Sequence, residues 1–95
     1  MSGRFEYGAR FEILRQGMED SMPTYQALVT WPDEGRAQFD VRVRADGEFQ
    51  LEETEGTHAE EWMRERLVKM IRTFVKTSQR SGKWPRRLSV WKEKP

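Results

Sequence analysis

Residues 57–82 read THAEEWMRERLVKMIRTFVKTSQRSG, and the fold turns on this run. Ala59, Met63, Leu67, Met70, Ile71, Phe74, Val75 and Ser78 recur at spacings of three and four, while Glu61, Glu65, Lys69, Arg72, Lys76 and Gln79 fill the other side. That period predicts one amphipathic helix with an apolar stripe that the rest of the chain must cover. Thr57 and Glu60 have capping-box spacing, in which each side chain takes a backbone N–H left unpaired at the helix start. Gly82 suits the residue after the last turn, and Pro85 keeps the helix from resuming. At 1.5 Å per residue the helix would be roughly 36 Å long. That exceeds the width expected of a four-stranded sheet, so its last turns are expected to overhang.

The cover lies upstream. Arg4 to Arg15 alternates, with Phe5, Tyr7, Ala9, Phe11 and Ile13 on one parity and mostly charged residues on the other, the signature of a half-buried strand. Gly8 within it suggests a bulge or bend. Gln16 to Pro23 reads as a connecting loop. Thr24 to Trp31 repeats the alternation with Tyr25, Ala27, Val29 and Trp31 inward, and Pro32-Asp33-Glu34-Gly35 supplies a turn. Arg36 to Ala45 follows with Ala37, Phe39, Val41, Val43 and Ala45 inward. Asp46-Gly47 then reads as a two-residue type I′ hairpin turn, and Glu48 to Glu52 adds Phe49 and Leu51. Beyond the helix, Arg87 to Trp91 has strand character, with Leu88 and Val90 on one parity and Arg87, Ser89 and Trp91 on the other.

The expected architecture is therefore α+β with element order β-β-β-β-α-β. A four-stranded antiparallel meander carries one long amphipathic helix on its apolar face, and a short fifth strand lies at an edge. Ninety-five residues fit a single domain over 1–95, with 1–3 and 92–95 expected to fray.

Composition narrows the chemistry. There is no cysteine and one histidine, so disulfides, thiolate catalysis and zinc binding lack their residues. His58 is expected at the first helical position as a solvated side chain. The acids from Glu48 to Glu61 lack the spacing of a calcium loop, and the glycines form no phosphate-cradling motif. No catalytic residue, metal site or cofactor is assigned, and the expected class is a non-catalytic binding module. The first twenty residues carry charges throughout with no apolar run of signal or membrane length, so the expected location is cytoplasmic, with no membrane contact.

Charge points to a partner. Met1 to Val68 holds 8 basic and 15 acidic residues, whereas Lys69 to Pro95 holds 9 basic and 1 acidic. The basic half ends in Lys76 to Lys94, where Lys83, Arg86 and Arg87 are interleaved with Trp84 and Trp91. Basic side chains neutralise phosphates and an exposed indole stacks on an unpaired base, which is what single-stranded nucleic-acid binding requires. Lys83, Trp84, Arg86, Arg87 and Trp91 are accordingly the candidate ligand residues for an anionic partner, single-stranded nucleic acid or an acidic protein. The strands themselves offer little to such a ligand, because their aromatics share the buried parity and the other face mixes signs.

Four antiparallel strands followed by a long helix is similar to the unit of the Pur-type and Whirly single-stranded nucleic-acid-binding proteins, which dimerise. The resemblance covers element order over about residues 4–80 and no motif, so it implies no site residues; the strand after the helix departs from it. The alternative is a homo-oligomeric or adaptor domain that works through the helix and a sheet edge. Trp62 and Met63, at the margin of the helix stripe, are its candidate contacts, and an isologous homodimer is its simplest form.

Overall fold

A computed structural model describes residues 8–19, 22–32, 34–56 and 58–93. The elements are β1 (Gly8–Glu19), β2 (Met22–Trp31), β3 (Gly35–Val43), β4 (Phe49–Gly56), α1 (Glu61–Ser81) and β5 (Arg87–Glu93). All five strands form one antiparallel sheet in the order β4-β3-β2-β1-β5, with α1 across one face. The expected α+β architecture and element order are observed. The meander follows from short connections, and β5 returns to the free edge of β1 because the helix carries the chain back across the sheet.

The core forms where strand alternation meets helical periodicity. Phe11, Ile13, Ala27 and Val29 from the sheet and Leu67 and Ile71 from the helix have no solvent exposure. Phe39, Val41, Met63 and Val75 are nearly as buried, and Tyr25 meets Phe74 edge-on at a centroid distance of 5.0 Å. The helix is shorter than expected, 21 residues or about 31 Å, and its stripe stays covered as far as Ser78, so the expected overhang is absent.

Several local expectations are corrected. The connection expected over Gln16 to Pro23 is mostly strand: Gly17 pairs with Thr24, Met18 with Pro23 and Glu19 with Met22 after a register shift between Arg15 and Gly17. Backbone pairing outlasts the apolar alternation there, and the inserted Gln16 reverses the parity that a sequence pattern follows. The expected first strand over Arg4 to Tyr7 lies outside the described residues.

The β3–β4 connection is a three-residue loop rather than a type I′ turn. Gly47 N–H donates to the Arg44 carbonyl (3.0 Å) and Arg44 N–H to the Glu48 carbonyl (2.8 Å). Only Gly47 takes positive φ (91°) in that loop; the Asp46 carboxylate instead accepts from Glu48 N–H at 2.9 Å. Ala45 is thereby exposed in the turn and not inward on the strand. This is the arrangement of a type I turn closed by a left-handed glycine.

The helix start also differs. Glu60 is the N-cap without a side-chain cap bond, and Thr57 lies outside the described residues. A carboxylate of the sheet ties down the segment leading into the helix: Glu53, on the helix-side face of β4, accepts from Ala59 N–H at 3.3 Å, one residue before the N-cap, and pairs with Arg64 of the first turns. His58 precedes the helix, exposed, with Nδ1 3.4 Å from Glu53. At the other end Gly82 adopts φ 77° and its N–H bonds to the Ser78 carbonyl at 2.7 Å, as its position predicts. Strand β5 extends to Lys92 and Glu93, two residues expected to fray.

Candidate binding face

The basic stretch after the helix is anchored by main-chain bonds. Tyr25 Oη donates to the Pro85 carbonyl (2.7 Å), Arg15 Nη1 to the Trp84 carbonyl (3.1 Å), and Arg15 N–H to the Arg86 carbonyl (2.9 Å). Burial raises the Tyr25 phenol above its ordinary 10.0, with the Arg15 charge acting in the opposite sense. The phenol is therefore a donor at neutral pH. Three consecutive carbonyls, from residues 84 to 86, are thus occupied by side or main chain of the first two strands.

That anchoring separates the five sequence-predicted ligand residues. Lys83 and Arg86 project from the loop into solvent. Trp84 is half-buried and packs against the core, so its indole serves the fold. Arg87 reaches across to β1, where its Nη2 lies 3.0 Å from Glu12 Oε2. Trp91 stands four residues along β5, about 13 Å away at strand spacing, on the sheet face away from the helix.

Trp91 does not stand alone on that face. Cross-strand partners share a face in an antiparallel sheet, and the register links Trp91 to Arg10, Arg10 to Thr30 and Thr30 to Arg36. This row crosses four strands, roughly 14 Å at the usual strand separation, and contains no acid. Trp91 and Met18 are the large apolar side chains that remain exposed among the described residues, at 37% and 57%. Gly8, expected to mark a bulge, is instead in regular register opposite Glu93, and its missing side chain has a purpose. A Cβ there would lie 2.5 Å from Trp91 Cζ2, so the indole lies over the glycine.

Two rows further along, the face changes sign. Arg87, Leu14, Gln26, Asp40 and Glu52 are successive cross-strand partners, ending in two carboxylates side by side. The mixed signs read from sequence are only partly separated in space: Arg10 and Arg36 share a row with the indole, Asp40 and Glu52 lie toward β4, and Arg42 stands one row beyond those two acids. Glu12 lies between and is engaged by Arg87; Glu93 is one row beyond Trp91.

Arg10 and Arg36 were not singled out from sequence. Their signal is even spacing within two alternating strands, which becomes a site only once the pairing of β5 with β1 is known. The alternative contacts fare differently from one another. Met63 is 1% exposed and belongs to the core; Trp62 is half-buried, edge-on to Phe11 at 6.4 Å. Among the described residues, no group of three or more His, Asp or Glu side chains is placed to hold a metal ion, and no helix is long and apolar enough to cross a membrane. No known protein family, curated protein or solved structure matches this chain.

Proposed function

We propose that this protein is a non-catalytic binding module for an anionic partner, single-stranded nucleic acid, held on the open sheet face along β5. The observation that carries the reading is the row Trp91, Arg10, Thr30, Arg36. It pairs an exposed indole with two guanidinium groups on a rigid element. A base stacks on Trp91, while Arg10 and Arg36, both on the β3 side of the indole, meet successive phosphates as the strand crosses the sheet. Lys83 and Arg86 extend the cationic path at the far end of β5, on a loop whose backbone is already anchored. Trp84 positions that loop. Arg87, paired with Glu12, aligns β5 with β1 and contributes less free charge.

Stacking of one base on an aromatic side chain contributes about 1 to 3 kcal/mol, and each phosphate contact contributes a salt-dependent increment. Anisotropy titration with a fluorescein-labelled single-stranded DNA or RNA 12-mer at low salt tests the assignment. Trp91→Ala is expected to weaken binding about 5- to 150-fold. Arg10→Ala/Arg36→Ala is expected to reduce the slope of log K against log salt by about 1.4. Arg72→Ala/Lys76→Ala, on the outer face of the helix, should leave binding nearly unchanged. Absence of binding, or equal losses in all three variants, overturns the reading.

A further inference from the structure

The helix side of β5 offers a surface that the nucleic-acid reading leaves unused. Among the described residues β5 is the last strand of the sheet and pairs with β1 alone, so one line of its backbone faces away from β1. Between that edge and α1 runs a groove of about 380 Å³. Its floor is apolar, formed by Met70 and Phe74 of the helix and Leu88 and Val90 of the strand. Its rim is cationic: Arg66 and Lys69 stand on the helix and Lys92 at the end of the strand.

We infer that this groove accepts an extended segment of another protein, added antiparallel to β5 as a sixth strand. An open sheet edge supplies main-chain bonds, and the alternate side chains of the incoming strand supply specificity. Residues of β5 that face the helix are Leu88, Val90 and Lys92, the cross-strand partners of Ile13, Phe11 and Ala9. The incoming strand therefore presents two apolar side chains opposite Leu88 and Val90. Opposite Lys92 it presents an acid, which also falls within reach of the Arg66 and Lys69 rim. In its own direction the segment reads Glu-x-Val-x-Leu or a close equivalent.

Charge argues against a second copy of this chain. Pairing β5 with β5 about a twofold axis would bring both sets of Arg66, Lys69 and Lys92 into one seam, and edge lysines are a common device against such self-pairing. An acidic, alternating segment turns the same cations into attraction.

The probe is the peptide acetyl-Thr-Glu-Thr-Val-Thr-Leu-Thr-amide, with a control carrying Lys in place of Glu. Titrated into the ¹⁵N-labelled full chain, the acidic peptide should shift the amides of residues 88–92 and slow exchange of the outward-facing ones. It should bind about fivefold more tightly than the control, the upper range for exposed charge pairs. Lys69→Glu/Lys92→Glu should reverse the preference. The inference fails if neither peptide perturbs β5, or if both bind alike. It also fails if the free chain already protects this edge as a concentration-dependent dimer.

Discussion

The Tyr25 hydroxyl donates a 2.7 Å hydrogen bond to the Pro85 carbonyl, joining the middle of the sheet to the loop that follows the helix. Tyr25 is 2% exposed, packed against Phe74, and its single polar atom points at the connection that carries Lys83 and Arg86. Core packing and the placement of the basic loop are therefore coupled through one side chain.

Tyr25→Phe keeps the ring and removes the bond, leaving the Pro85 carbonyl without its donor. Urea denaturation should give a loss of about 0.5 to 1.5 kcal/mol. Amide exchange within residues 83–86 should quicken more than exchange in β2 or β3.

The same phenol sets an alkaline limit. Burial raises its pKa above 10.0 in the folded chain, so the associated stability is complete below pH 10 and is lost as pH climbs through the folded value. Melting temperatures measured from pH 8 to 11 should fall more steeply in the parent chain than in Tyr25→Phe.

At the opposite end, Glu53 gives an acid limit. Burial pushes its carboxyl up, but the Ala59 N–H, the His58 hydrogen bond and the charges of Arg64 and His58 together hold it below the ordinary 4.5. Stability from this group is present above pH 4.5 and disappears as pH falls through the lower folded value. Glu53→Gln should therefore be less stable than the parent chain at pH 6, with the gap narrowing as pH approaches 3. A constant gap in melting temperature across that range would show that Glu53 acts only by packing.

Gly8→Ala tests the seat of Trp91. The new methyl would lie 2.5 Å from Cζ2 and 2.8 Å from the Lys92 carbonyl, so the indole must leave. A shifted emission maximum and a loss of oligonucleotide affinity approaching that of Trp91→Ala are expected. Stability should fall by about 1 to 3 kcal/mol, the usual range for overpacking.

Leu67→Ala removes a helix side chain with no exposure from the centre of the core. Chemical denaturation should register a loss of about 2 to 5 kcal/mol.

How far the sequence carried the fold depends on the range of each signal. Alternation in 9–13, 25–31 and 37–43 and the three–four spacing of Met63 to Val75 are local and strong, and each of these faces is where the pattern put it. The misreadings occur where the cause is non-local. Gln16 breaks parity only because β2 continues to pair beyond it, and the approach to the helix is held by Glu53 from the sheet through Ala59 N–H and Arg64. The candidate site divides the same way. Trp91 and its parity were legible from Leu88 and Val90, and so was the cationic character of the segment. The packing of Trp84, the engagement of Arg87 by Glu12, and the alignment of Arg10 and Arg36 with Trp91 all depend on strand order and register.

Binding of an unpaired nucleic-acid strand on the open face beside β5, with Trp91 as the stacking platform, is what we propose for this protein. A ¹⁵N-resolved titration of the full chain with a single-stranded 12-mer at low salt tests it most directly. The Trp91 indole N–H and the amides around Arg10 and Arg36 should move together and saturate, and Trp91→Ala should abolish most of the response. Saturable shifts confined to the helix face, or no shifts at all at millimolar oligonucleotide, would contradict it.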